Sequence, residues 1–287
     1  MRIATETIVF NNDRNVRLDA YTIEQDADTT LPEGIHPAVI VCPGGGYNHI
    51  SEGEGLPAIL PFLSDGYQAF ILSYSINDDS RYPNPLVDLS IAVRWIRANA
   101  ERFHIDPDRI ATVGFSAGGN CAAMLATQWQ LDHWKANEHQ ELVTAGFANL
   151  EHFSNQPNAA ILCYATTDLF AFPNLEQTRT RESGIGVISV ERLPESNPID
   201  HISEHTCPVF LWHTTEDDTV PAQQSVAIAG KLLDAGVPVE LHVYERGAHG
   251  LSVATGLTNS EGRGTLQPSV PGWVTLAITW LNQRFER

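Results

Sequence analysis

Short apolar runs recur along the chain and alternate with segments in which apolar residues return at helical spacing. The apolar runs are the length of buried strands and are bounded by turn-forming residues. The first two are expected to form an opening antiparallel pair. This pattern predicts strands at residues 5–10, 16–23, 38–42, 68–72, 109–113, 159–164, 208–212 and 239–244.

Helices are predicted between most of these strands. Residues 88–100 are the clearest case, because Leu89, Val93 and Ile96 recur at helical spacing. Other helical segments are expected at residues 56–63, 119–126, 223–234 and 272–285. Alternation of strands and helices indicates an α/β fold: a mainly parallel eight-stranded sheet with helices on both faces.

Two polar stretches interrupt this rhythm, at about residues 132–157 and 170–205. We interpret both as insertions in a single domain that spans residues 1–287. Long excursions at loop positions of α/β domains often build a lid or a substrate pocket, and the alternative is an insertion with no part in the site. The second stretch favours a pocket or cap, because it follows the strand at 159–164.

Composition narrows the class of partner. The 287 residues carry a net charge of −18, with 43% hydrophobic and 18% charged residues, so a soluble globular protein is expected. An acidic surface argues against nucleic acid and anionic membranes as partners. The N terminus lacks the apolar core of a signal peptide, and no apolar run has the length of a membrane span, so the expected location is the cytoplasm.

Cysteine and histidine spacing gives no support to a metal site. The four cysteines are far apart in or beside apolar stretches, which predicts buried free thiols in a reducing compartment. Neither a C-x-x-C pair nor an H-E-x-x-H motif occurs, so we expect no metal and no cofactor.

The apolar segment at 272–285 fits either the core or an interface in a homo-oligomer.

Residues 114–118 read Gly-Phe-Ser-Ala-Gly and fit the G-x-S-x-G nucleophile elbow. A predicted strand precedes Ser116 and a helix of small residues follows it. A helix N-terminus at this point directs free N–H groups, including that of Ala117, to the position where an oxyanion forms. Ser116 is therefore the candidate nucleophile.

A serine nucleophile needs a base, and the base needs an orienting acid. His249 is the candidate base, since it follows a strand, has glycines beside it and comes after Ser116 in the order Ser, Asp or Glu, His. Asp217 is the preferred acid because of its D-x-x-V-P spacing. Asp218 remains an alternative acid, although it could instead cap the next helix, and Glu216 is expected to be solvated. His213, at a strand end beside the acid loop, is a weaker candidate than His249 for the base. Protonation of His249 at low pH should abolish activity.

A second set of oxyanion donors is expected after the strand at 38–42. The segment 43–47 reads Pro-Gly-Gly-Gly-Tyr, and successive glycines allow backbone N–H groups to converge. Gly45 and Gly46 are the candidates, together with Ala117. Tyr47 and Trp212 are expected either to shape the substrate pocket or to pack in the core.

These motifs together resemble the α/β-hydrolase superfamily over nearly the whole chain. Within it, the chain is similar to small carbohydrate acetyl esterases and the bifunctional acetyl-xylan and feruloyl esterases. The resemblance also rests on Glu54-Gly55, on Gly-Tyr-Gln-Ala-Phe at 66–70 and on the segment 104–110 before the elbow. The hormone-sensitive-lipase branch carries His-Gly-Gly-Gly, whereas Pro43 stands at that histidine here, which argues against that branch.

The resulting hypothesis is a serine carboxylesterase for short acyl esters, acetyl esters above all, on a carbohydrate or small alcohol. A feruloyl or aryl esterase, or an arylformamidase, uses the same chemistry on a wider aromatic substrate. A hydrolase-fold protein that only binds a ligand or partner is the third possibility. An intact Ser/Asp/His set with both oxyanion elements speaks against a purely binding role.

Overall fold

A computed structural model describes residues 2–24, 34–171, 193–258, 267 and 269–286. Its centre is an eight-stranded sheet in the order β1-β2-β4-β3-β5-β6-β7-β8. β1 and β2 are antiparallel to each other and β2 is antiparallel to β4, while all other neighbours are parallel. The strands are β1 (Arg2–Asn11), β2 (Val16–Glu24), β3 (His36–Cys42), β4 (Gln68–Ser73), β5 (Ile105–Phe115), β6 (Ala159–Cys163), β7 (Val209–Thr214) and β8 (Val239–Tyr244).

Helices connect the strands and cover both faces of the sheet. They are α1 (Leu56–Ser64), α2 (Asn84–Ala98), α3 (Ser116–Gln128), α4 (Lys135–Thr144), the short α5 (Leu193–Ser196), α6 (Gln223–Asp234) and α7 (Gly272–Arg284). The predicted α/β architecture is therefore confirmed. Among the described helices, none combines the length and the apolar character needed to cross a bilayer.

The alternation of side chains along each central strand divides the core into two layers. In β3, Ile40 faces the layer that contains α2, α3 and α6, whereas Val39 and Val41 face the layer of α1 and α7. All three side chains are fully buried. Strands buried on both faces need continuous apolar sequence, which is why the run at 38–42 has no polar residue.

Several elements differ from the sequence prediction in their bounds, and the differences at α2 and α4 have a clear physical cause. α2 begins at Asn84, four residues before the predicted start, because Pro85 occupies its first turn, where the missing N–H of proline is not needed. The polar stretch at 132–157 contains α4, which packs on α2 through the buried Arg94–Glu138 ion pair, with Nε and Oε1 2.9 Å apart. Within this stretch, α4 is thus a surface layer on α2.

The second predicted insertion, at 170–205, is described only at its ends. Residues 172–192 lie outside the described part of the chain, so the cap expectation concerns residues that the structure does not describe. Residues 193–205 form α5 and a turn at Pro198–His201 beside α3. The four cysteines are buried as free thiols, as predicted.

Candidate active site

Ser116 lies at the junction of β5 and α3, where the chain turns sharply from strand to helix. Its φ of +52° is in the left-handed region, which is strained for a residue with a side chain. The turn fits only because its neighbours are small. A Cβ on Gly118 would lie 2.0 Å from the carbonyl oxygen of Cys42, so this glycine lets α3 approach the end of β3. The packing of α3 on the end of β3 thus enforces the strained conformation that presents the Ser116 hydroxyl at the carboxyl end of β5.

The structure brings Ser116, His249 and Asp217 into one hydrogen-bonded chain. Nε2 of His249 lies 2.8 Å from Oγ of Ser116, and Nδ1 of His249 lies 2.7 Å from Oδ2 of Asp217. Ser116 follows β5, His249 follows β8 and Asp217 follows β7, and the carboxyl ends of these parallel strands meet at one edge of the sheet. The carboxylate of Asp217 is fully buried, and the imidazole of His249 is 17% exposed.

The carboxylate of Asp217 is surrounded by hydrogen-bond donors. Oδ1 accepts the backbone N–H groups of Thr219 at 3.0 Å and Val220 at 2.8 Å, and Oδ2 lies 3.3 Å from Nε2 of His213. Burial acts to raise the pKa of Asp217, but the hydrogen bonds from His213, His249 and Val220 prevail and hold this pKa well below its usual range. Asp217 is thus an anion fixed next to the imidazole of His249.

The two other carboxylates of the acid loop have different positions. Asp218 is exposed, and its Oδ1 accepts the hydroxyl of Thr219 at 3.3 Å. Glu216 is also exposed, but its Oε2 accepts the N–H of Gly247 at 2.9 Å. Asp217 therefore faces His249, and Glu216 holds the loop that carries His249.

The glycine loop lies against the elbow. The Gly44 N–H donates to Oε2 of Glu54 at 2.8 Å, and the Gly45 carbonyl accepts the N–H of Asn48 at 2.9 Å. The N–H groups of Gly45 and Gly46 donate to no described residue. Both glycines are partly exposed, so these N–H groups are available to an incoming group.

Of the two roles that the sequence left open for Tyr47 and Trp212, their burial favours packing in the core. Tyr47 is 3% exposed, and its hydroxyl donates to Oδ1 of Asn120 at 2.8 Å. Trp212 is fully buried and stacks on Trp273, with ring centroids 5.2 Å apart. Trp212 lies inside β7 with its side chain in the layer of α1 and α7, so it does not reach an open surface.

Sequence reasoning missed three buried residues behind the site. Oε1 of Glu54 accepts the hydroxyl of Tyr164 at 2.6 Å, and the oxygen of Tyr164 accepts the N–H of Ser252 at 2.9 Å. The Tyr164 ring also packs edge-on against His249, with centroids 5.0 Å apart. These residues are 88 and 110 positions apart along the chain, so no local pattern could connect them. The only signal was the Glu54-Gly55 pair noted in the resemblance.

Comparison with known proteins places this arrangement in a family. The profile of the BD-FAE family matches residues 27–232, a span that contains Ser116 and Asp217 and ends before His249. Endo-1,4-beta-xylanase B from Butyrivibrio fibrisolvens is 32% identical over 229 residues, which are 75% of this chain and 32% of that protein. Acetylxylan esterase from Xylanibacter ruminicola is 23% identical over 76% of this chain and 42% of that protein. The chain thus spans less than half the length of these two relatives.

Solved structures match the chain nearly end to end. An acetyl ester-xyloside bifunctional hydrolase from Caldicellulosiruptor lactoaceticus has a TM-score of 0.77 at 29% identity and covers 95% of this chain and 89% of its own. A carboxylesterase from Lactobacillus plantarum has a TM-score of 0.81 at 27% identity, with 99% and 98% covered. The likeness extends over β8 and α7, so it includes the part of the fold that carries His249.

Proposed function

The chain belongs to the BD-FAE family of α/β-hydrolases, and on this premise we propose that it is a serine carboxylesterase that hydrolyses short-chain acyl esters through an acyl-enzyme. The observation that carries the proposal is the hydrogen-bonded chain from Asp217 through His249 to Ser116. With Nδ1–H donated to Asp217, Nε2 of His249 is free to accept the hydroxyl proton of Ser116.

In the first half of the reaction, Oγ of Ser116 attacks the ester carbonyl carbon and its proton passes to Nε2 of His249. The negative charge that develops on the carbonyl oxygen is stabilised by the N–H groups of Gly45, Gly46 and Ala117. The ionised Asp217 stabilises the imidazolium of His249. The tetrahedral intermediate then breaks its bond to the alcohol oxygen, which leaves with the proton from His249.

In the second half, water attacks the acyl-Ser116 carbonyl while His249 removes a proton from the water. The second tetrahedral intermediate collapses, Ser116 regains its proton from His249, and the carboxylic acid is released. The described residues supply each proton transfer, so the steps require no external cofactor.

Acetyl groups on a carbohydrate or a small alcohol are the proposed substrates. This choice is supported by the relatives, among them an acetylxylan esterase and an acetyl ester-xyloside hydrolase. Among the described residues, Tyr47 and Trp212 are buried, so neither offers an open aromatic wall to a feruloyl group. A feruloyl or aryl ester therefore stands as the alternative outcome of the substrate test.

The test compares initial rates on 4-nitrophenyl acetate, butyrate, octanoate and ferulate, and on an acetylated xylo-oligosaccharide. We expect the acetate and the sugar to be hydrolysed fastest, and Ser116→Ala to lose activity by about 10⁴-fold or more. Ser64→Ala, an exposed serine at the end of α1, is the matched control and should retain full activity. Faster turnover of the ferulate would move the assignment to an aryl esterase. Equal rates for the wild type and Ser116→Ala would overturn the mechanism.

A further inference from the structure

The turn at Glu52–Glu54 lies between the glycine loop and the loop of His249 and is bonded to both. The carboxylate of Glu54, which is 3% exposed, reaches the Gly44 N–H with one oxygen and the Tyr164 hydroxyl with the other. Next to it, the carbonyl of Gly53 accepts the hydroxyl of Ser252 at 2.7 Å. Glu54 takes no direct part in the proton transfers proposed above.

The directions of the hydrogen bonds in this network are fixed. The Ser252 N–H can only donate, so the Tyr164 oxygen must accept it and turn its own proton toward Glu54. Burial, and after it the charge of Glu54, raise the pKa of Tyr164 well above its ordinary value, which keeps this proton on the phenol. Both oxygens of Glu54 therefore act as acceptors, and the carboxylate has one orientation.

Gly44 lies between the oriented carboxylate of Glu54 and the nucleophile Ser116. A Cβ built on Gly44 would lie 2.7 Å from Oε2 of Glu54 and 3.0 Å from Cβ of Ser116. The backbone of Gly44 is thus enclosed between the carboxylate and the elbow. Gly45 and Gly46 follow directly in the chain, so the position of their N–H groups depends on where Gly44 is held.

We propose that Glu54 is a positioning residue: it holds the Gly44 peptide against the elbow, so that the N–H groups of Gly45 and Gly46 meet the oxyanion formed at Ser116. This inference rests on the proposed esterase function and assigns a role to a buried carboxylate outside the Ser116–His249–Asp217 chain. A fixed donor contributes more than a mobile one, because no reorganisation accompanies the charge as it develops.

The test uses Glu54→Ala and Glu54→Gln, with Glu138→Ala as the control. Glu138 is the same residue type, is equally buried at 3% and lies in α4, which packs on α2. For Glu54→Ala we expect kcat on 4-nitrophenyl acetate to fall about 10- to 100-fold and KM to change less than about threefold, because misplaced donors weaken transition-state stabilisation more than ground-state binding. Affinity for a trifluoromethyl ketone, whose adduct with Ser116 places an oxyanion in the same position, should fall in parallel with kcat/KM.

Conservative substitution provides the rescue. In Glu54→Gln the amide oxygen can still accept the Gly44 N–H, while the amide NH2 faces the Tyr164 oxygen and makes that hydroxyl turn its proton away, so we expect a smaller loss of kcat than in Glu54→Ala. If Glu54→Ala does not fold, Glu54→Asp takes its place: it keeps the charge but shortens the side chain by one methylene, and the same loss of kcat is expected.

Other outcomes would overturn the inference. These are an unchanged kcat in folded Glu54→Ala and Glu54→Asp, a rise in KM alone, or a loss of kcat that Glu138→Ala shares. In each of them an active wild type and an inactive Ser116→Ala would leave the esterase function standing. A wild type that hydrolyses no ester would overturn the proposed function and this inference with it.

Discussion

His213 and Asp217 lie side by side in a region closed to solvent, with Nε2 of His213 3.3 Å from Oδ2 of Asp217. The same Nε2 lies 2.8 Å from the carbonyl oxygen of Val220, so it carries the proton, and Nδ1 accepts the hydroxyl of Ser225 at 2.8 Å. Asp217 therefore lies between two imidazoles, of which only that of His249 reaches Ser116. His213 supports the acid and does not compete for the role of base.

Replacing His213 should weaken catalysis through Asp217. In His213→Leu the carboxylate loses one donor and gains freedom to rotate, so we expect kcat to fall about tenfold with little change in KM. The melting temperature should also drop, because Ser225 and Val220 each lose a buried partner. Steady-state kinetics and thermal unfolding measure both effects. His242→Leu, which removes a partly exposed histidine of β8, is the control. A normal kcat in His213→Leu would show that Asp217 needs no support from this side.

Asp217→Asn and Asp218→Asn form a matched pair for the acid. Asparagine at 217 keeps the shape but loses the charge that stabilises the imidazolium, and we expect kcat to fall by about 10⁴-fold. Asp218 is exposed and accepts the hydroxyl of Thr219, so Asp218→Asn should retain kcat within about twofold. Because its pKa is held well below the usual range, Asp217 should remain ionised, and so keep its role, in mildly acidic solution. A larger loss in Asp218→Asn would reverse the assignment.

The close approach at the elbow makes one glycine irreplaceable. In Gly118→Ala the new methyl would overlap the backbone of Cys42 and Pro43, so we expect the free energy of unfolding to fall by more than about 2 kcal/mol and the activity to be lost. Gly230 in α6 has open space around its Cα. Gly230→Ala should therefore be stabilised by about 0.5–1 kcal/mol, since alanine favours the helix. Chemical unfolding of the two variants should shift in opposite directions, and a tolerated Gly118→Ala would contradict the geometry.

Asp88 in α2 should make stability depend on pH. Burial raises its pKa to about 6, although Arg14 at 3.2 Å and the Ser75 N–H act to lower it. In the folded protein the pKa of Asp88 lies above its value of about 3.9 in the unfolded chain. Asp88 therefore stabilises the folded protein below pH 4, and this stabilisation is lost as pH rises through about 6. Relative to Asp88→Asn, the wild type should lose about 2 kcal/mol of unfolding free energy between pH 4 and pH 7.5.

Urea unfolding at several pH values measures this difference, and the other titrating groups cancel because both proteins carry them. A constant difference between the wild type and Asp88→Asn would mean that Asp88 titrates alike in the folded and unfolded chains.

Local patterns were enough to predict the fold. The central strands are buried on both faces, so each appears in the sequence as a continuous apolar run. α6 and β8 have the predicted bounds of 223–234 and 239–244. α4 was missed because among its ten residues only Leu142 is a buried apolar side chain, too few to show a helical period. The start of α2 was missed because the apolar repeat that predicted it begins at Leu89, five residues after Asn84.

The residues of the site also fall into two groups, those that a local motif identifies and those that depend on long-range contacts. Ser116, Asp217 and His249 could be selected by motif and chain order, and the structure puts their polar atoms within hydrogen-bonding distance. The contact of Glu54 with Tyr164 and the stacking of Trp212 on Trp273 join segments far apart in the chain, which no short segment encodes. Aromatic residues beside a motif are ambiguous for this reason: the same side chain suits a pocket wall or a core.

The strands that carry His249 and Ser116 differ in how easily they open on heating. In the described sheet β8 is an edge strand with β7 as its neighbour, and its side chains are only partly buried, whereas β5 lies in the middle of the sheet. Edge elements with few buried contacts open at lower free energy than central ones. Ser116 is anchored on the central strand and His249 follows the edge strand. Warming should therefore separate the base from its nucleophile before the core melts, so that inactivation precedes unfolding and is reversible on cooling.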